Sequence, residues 1–135
     1  MQVCRPGLTE YQLEAEIAHE FAAGGARASA YPSIVAGGDN ACILHYVDND
    51  TRLQEGDLVL IDAGCELEGY ASDVTRTFPV GGRFSGAQRA IYELVLKAQA
   101  AAIAAIKPGN HWNQPHDASV RVIHGQPARD SPLLR

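Results

Sequence analysis

The sequence predicts an α+β domain, and three observations carry that reading. Helical periodicity runs through residues 9–23 and again through 85–106, each stretch opened by a capping-box pair. Between them the period changes to short runs typical of strands. Two of these runs flank a turn at Glu66–Gly69, the pattern of an antiparallel hairpin.

Taken in order, Arg5-Pro6-Gly7 makes a turn before Thr9, whose partner Gln12 stands three residues on. Leu13, Ile17 and Phe21 then recur every four residues, while Glu14, Glu16 and Glu20 fill other positions. This is an amphipathic helix, ended by Gly24-Gly25. Ser33–Ala36 and Ala41–Tyr46 read as short strands around the loop 37–40. Leu58–Ala63 is apolar on both faces until Asp62, as in a strand covered on both sides. Tyr70 to Val80 follows the turn, with Thr75, Thr77 and Phe78 favouring a strand. Gly81-Gly82 breaks it, and Ser85 with Gln88 opens a long helix to about Ile106. That helix carries Ile91, Leu94, Val95, Ala98 and Ala102 on one face and stops at Pro108-Gly109. Residues 113–123 can hold a third helix with Pro115 in its first turn. Residues 124–135 have no period and two prolines, which predicts an unstructured tail after a domain spanning 1–123.

Composition narrows the function. With 46% apolar and 20% charged residues the balance is that of a soluble globular chain. A net charge of −5 without any basic stripe argues against nucleic acid as a partner. The most apolar helix is interrupted by Glu93, Lys97 and Gln99 and is too short to span a bilayer, so no membrane partner is expected. No signal-peptide core opens the chain, which makes the cytoplasm the default address. Cys4, Cys42 and Cys65 are odd in number, widely spaced and form no CxxC, so neither a disulfide framework nor a structural zinc site is expected.

The chemistry points to Asp62 and Asp73. A hairpin centred between Leu67 and Glu68 sets the two directly opposite each other on one face of the sheet, with Cβ atoms about 5 Å apart. Carboxylates that close repel each other and are costly to desolvate, so something must compensate. A shared proton, a buried Arg such as Arg76, and a divalent cation are all open on this evidence. Oxygen ligands suit hard or borderline ions such as Mn²⁺, and a bridging pair suits two of them. His45, a lone histidine after two apolar residues, reads more simply as a hydrogen-bonded structural residue.

The segment Ile61-Asp62-Ala63-Gly64, followed by Gly69-Tyr70-Ala71-Ser72-Asp73-Val74-Thr75-Arg76-Thr77-Phe78, resembles the metal-binding hairpin of the pita-bread metallopeptidases. Ser-Asp-Val-Thr-Arg-Thr-Phe is more similar to the proline-specific branch, aminopeptidase P and prolidase, than to methionine aminopeptidase. Arg5-Pro6-Gly7 with its Glu-rich helix, and Ile43-Leu44-His45-Tyr46, resemble bacterial aminopeptidase P in particular. The likeness spans about residues 1–110 and is most specific around 58–80.

This resemblance implies one half of a pita-bread fold, a curved antiparallel sheet with helices on one face. It implies metal-dependent hydrolysis of the peptide bond before a penultimate proline, with two divalent ions, Mn²⁺ in this branch. Asp62 matches a ligand of one ion and Asp73 the carboxylate bridging both. His45 matches a histidine that contacts the substrate and helps settle charge at the scissile bond. His19, His111, His116 and His124 match no ligand position. The family's remaining ligands, one histidine and two glutamates, belong to a C-terminal half outside this sequence, so the isolated chain is expected to be inactive. Full-length proteins of this kind can form homo-oligomers. Two rival expectations stand beside it: a pita-bread module used only for binding, against which both retained aspartates argue, and a gene remnant with a frame change near Ile123.

Overall fold

The computed structural model describes residues 2–125. They form two compact units, one ending at Arg83 and the other starting at Phe84. Among the described residues no helix is long and apolar enough to cross a membrane.

In the first unit, helix α1 spans Glu10–Ala23 and opens as its capping box requires. The Gln12 side-chain oxygen accepts from the Thr9 backbone N–H at 2.9 Å and from the Thr9 hydroxyl at 3.0 Å. The helix stops at Gly24, and Gly25 takes φ 96°, a conformation that costs glycine nothing. The strands are β1 (Ala28–Ser29), β2 (Ile34–Gly37), β3 (Leu58–Ala63), β4 (Cys65–Leu67), β5 (Tyr70–Ala71) and β6 (Val74–Pro79). They build two antiparallel three-stranded sheets, ordered β1-β4-β5 and β2-β3-β6. One hairpin supplies strands to both sheets and passes from one to the other at Gly64. A side chain there would overlap the Ser72 carbonyl, so only glycine lets the two strands approach so closely.

Alternation along β3 decides what each face does. Val59 and Ile61 point to the core, where Leu13, Val35, Leu53 and Val80 are buried with Val59, and Ile17, Ile61 and Phe78 pack against them. Leu60 and Asp62 point the other way and line a cleft. Thus β3 is not covered equally on both faces as its run of apolar residues implied.

Two further expectations need correction. Residues 41–46 form no strand: Gly38–Cys42 is a 3-10 turn, and the chain then runs irregularly to Tyr46. Gly38 at φ 54° turns the chain out of β2, and polar ties described below replace strand pairing. The hairpin register also differs. The turn is the two-residue pair Glu68-Gly69, at φ 52° and 84°, which brings Leu67 opposite Tyr70. Positive φ at both positions gives the hairpin the twist its strands need, and Glu66 secures it by accepting from the Gly69 N–H at 2.6 Å. Moving the centre by one residue moves every partner by two, so Asp62 stands opposite Thr75 rather than Asp73.

The second unit pairs helix α2 (Gly86–Ala104) with helix α3 (Gln114–His124). Ser85 caps α2: its hydroxyl accepts from Gln88 N–H at 3.2 Å, and its own N–H donates to the Gln88 side chain at 2.8 Å. Phe84 and Tyr92 rings lie 4.7 Å apart across the first turns. Helix α3 has its proline in the first turn and runs through His124, one residue into the stretch expected to be an unstructured tail. The rest of that expected tail, from residue 126, lies outside the described residues.

Candidate metal and substrate site

The site is assembled by β3, the end of the hairpin's return strand, and a tyrosine from the segment between β1 and β2. Asp62 is the fifth residue of β3 and is half-buried; Asp73 sits in the bend just before β6 and is exposed. The two-residue register shift leaves both on the same side of the hairpin, since side chains alternate with a period of two. What joins them is Tyr31. Its hydroxyl lies 2.6 Å from Asp62 Oδ1 and 3.0 Å from Asp73 Oδ1. The two carboxylate oxygens are therefore no farther apart than the sum of those distances.

Partial burial and the two carboxylates beside it push the Tyr31 phenol well above the usual tyrosine range. It stays a proton donor at neutral pH and softens the repulsion between Asp62 and Asp73. Arg76 does not fill that role. It is exposed, and its guanidinium donates to the Thr75 carbonyl at 2.8 Å. No local sequence signal marks Tyr31, which lies 31 positions before Asp62 and belongs to no periodic run.

His45 comes to the same neighbourhood. A cleft of about 300 Å³ is lined by Ile34, Ala36 and Leu60, by residues 41–45, and by Asp62 and Thr75. His45 is exposed and has φ 56°, unusual for a residue with a side chain. His19, His111, His116 and His124 are exposed as well. Cys4, Cys42 and Cys65 are free thiols.

The donors present suit a divalent ion: two carboxylates with oxygens converging on one point, one of them open to solvent. Among the described residues, no group of three or more His, Cys, Asp or Glu side chains gathers at a single point.

Comparison with known proteins identifies the family. The profile of metallopeptidase family M24 matches residues 1–130. The chain is 59% identical over 122 residues to the Xaa-Pro aminopeptidase of Haemophilus influenzae, covering 90% of this chain and 28% of that protein. The Xaa-Pro aminopeptidase of Escherichia coli is 55% identical, with 91% and 28% covered. Among solved structures, Pseudomonas aeruginosa aminopeptidase PepP superposes with a TM-score of 0.89 at 64% identity, again over 91% of this chain and 28% of the other. The chain thus spans little more than a quarter of the length of these relatives. It belongs to metallopeptidase family M24, on the aminopeptidase P branch, and carries part of that branch's pita-bread fold.

Proposed function

We propose that this chain supplies the two-aspartate part of an Xaa-Pro aminopeptidase site, in which Asp62 and Asp73 hold divalent metal, Mn²⁺ for preference. The observation that carries the reading is the convergence of both carboxylates on the Tyr31 hydroxyl at the edge of a cleft that also contains His45. Two acidic side chains this close are costly without compensation, and a cation provides it better than a phenol does. When bound, such ions supply Lewis acidity and lower the pKa of water. Of this chain's own residues, Asp62 lines the cleft and Asp73 is tied to it through the Tyr31 hydroxyl, so both carboxylates charge that edge. Tyr31 holds their carboxylates in a shared orientation. His45 faces the cleft from a loop, where its imidazole N–H can donate a hydrogen bond to the carbonyl oxygen of a bound peptide. Ile34, Ala36 and Leu60 give the cleft an apolar lining.

The relatives, Xaa-Pro aminopeptidases by name, support peptides with proline at the second position as the substrate class. With two aspartates and no further ligand among the described residues, the isolated chain should hold metal loosely and turn over nothing. A binding-only role is less favoured, because a module without chemistry has no use for two adjacent, mutually repelling carboxylates.

The test is a titration of the purified chain with Mn²⁺ by calorimetry, alongside an Xaa-Pro peptide assay. Weak binding should vanish in both Asp62→Ala and Asp73→Ala, with no hydrolysis in any sample. Binding that survives both substitutions sinks the site assignment. Turnover that disappears with Asp73→Ala would overturn the expected inactivity.

A further inference from the structure

Glu10 is the most deeply buried charged side chain described, with no exposed surface, and it lies in the first turn of α1 away from the aspartate pair. Four donors surround its carboxylate. Oε1 accepts from Gly37 N–H at 2.7 Å and from the Asn40 side-chain amide at 3.1 Å. Oε2 accepts from the Tyr46 hydroxyl at 2.7 Å and from Thr51 N–H at 2.9 Å. A carboxylate has about four acceptor positions and no donor, so this set of partners is its complement.

The donors are not a random group. Gly37 ends β2, Asn40 lies in the 3-10 turn, Tyr46 immediately follows His45, and Thr51 closes the segment. Together they bracket the loop that forms one wall of the cleft. Asn49 anchors the far end of the segment separately, accepting from Val35 N–H and donating to the Ser33 carbonyl, each at 2.9 Å. The tip between is less supported: Ile43 and Leu44 are 54% and 85% exposed, and residues 41–46 pair with no strand. His45 meanwhile sits in left-handed backbone geometry, which a side-chain-bearing residue keeps only where its surroundings impose it.

We propose that Glu10 is the positioning residue for His45: its carboxylate gathers four donors of the 37–51 segment and so sets the backbone that aims His45 at the cleft. The placement itself stands independently of the metal assignment; only its consequence for peptide binding rests on the function proposed above. Glutamine cannot substitute. Its amide nitrogen accepts nothing: on one side it leaves Gly37 N–H and the Asn40 amide unpaired, on the other it leaves Thr51 N–H unpaired and turns the Tyr46 hydroxyl from donor to acceptor.

The experiment uses the whole chain, with Glu10→Gln and the milder Tyr46→Phe, which deletes a single donor. NMR would follow the His45 ring signals and amide exchange along 38–46 and along β3. In both variants the loop amides should exchange about ten- to hundredfold faster, as losing a hydrogen bond to a charged group implies. The His45 ring signals should move, while β3 stays protected. Tyr46→Phe should show the smaller effect, and decides the matter if Glu10→Gln does not fold. Unchanged His45 signals and loop exchange in a folded variant would overturn the proposal. So would a uniform rise in exchange across loop and β3, which marks a residue that only adds stability. Mn²⁺ titration of the same samples tests Asp62 and Asp73 separately, so the two readings can fail independently.

Discussion

Tyr31 shows what a single hydroxyl contributes at the residue scale. It donates to whichever of the two acidic oxygens needs it, and thereby orients groups that would otherwise turn away from each other. Tyr31→Phe should keep the fold yet lower Mn²⁺ affinity about tenfold or more, the usual cost of losing a ligand's supporting partner; calorimetry against the parent chain checks it. Tyr46 leads to a prediction about pH. Burial chiefly, together with its bond to Glu10, raises its phenol above the ordinary value of about 10, while its contact with Thr51 opposes the rise. The folded chain therefore holds that proton more tightly than the unfolded one. The resulting stability is fully present below about pH 10 and is lost as pH climbs through the folded value. Urea midpoints should fall more steeply above that pH in the parent than in Tyr46→Phe, with Tyr31 supplying the slope that remains. Asp62 and Asp73 were legible in the sequence because spacing around a turn places strand residues on faces. Tyr31 and Glu10 were not: each acts through partners far along the chain, and no local pattern records such a distance.

At the scale of elements, capping chemistry was the most readable signal. Both boxes are built as their sequences require, because a cap is satisfied by residues three apart and needs no tertiary help. Ser85→Ala should destabilise α2 by about 1 kcal/mol, measured as the loss in thermal or urea stability. The strand expected over 41–46 failed for the opposite reason. Its apolar letters suggest a strand, but hydrogen bonding to a buried carboxylate decides the backbone there, and Ile43 and Leu44 remain exposed. Gly64 is the element-scale hinge of the site. Gly64→Ala should cost more than about 3 kcal/mol, beyond ordinary overpacking, because the added methyl meets backbone rather than a movable side chain. A soluble variant with an unchanged midpoint would show that the hairpin can open without penalty.

At the scale of the whole molecule, the chain leaves large apolar groups uncovered. Leu44, Ile103, Ile106 and Trp112 are all more than 60% exposed, the last at 91%. A chain with this surface should bind a hydrophobic dye and self-associate as its concentration rises, which sedimentation velocity would reveal. Trp112 is the sole tryptophan, so its fluorescence should report a water-exposed ring in the dilute chain and shift towards the blue on association. The α+β class and the order of helices were legible because each follows from local periodicity. The division of the strands into two sheets was not, since it depends on one glycine whose lack of a side chain matters only once Ser72 is beside it.

The two-residue turn at Glu68-Gly69 has a consequence for how this hairpin can vary. The expected and observed registers differ by two positions, and the aspartates remained on one side because two is a full period of the strand. An inserted or deleted single residue between Asp62 and Asp73 would turn one of them to the opposite side, unless a bulge absorbed it. Length polymorphism at this tip should therefore come in even steps. Grafted peptides of even length, extending both arms as strand, are the ones the tip should accept without scattering its acidic pair.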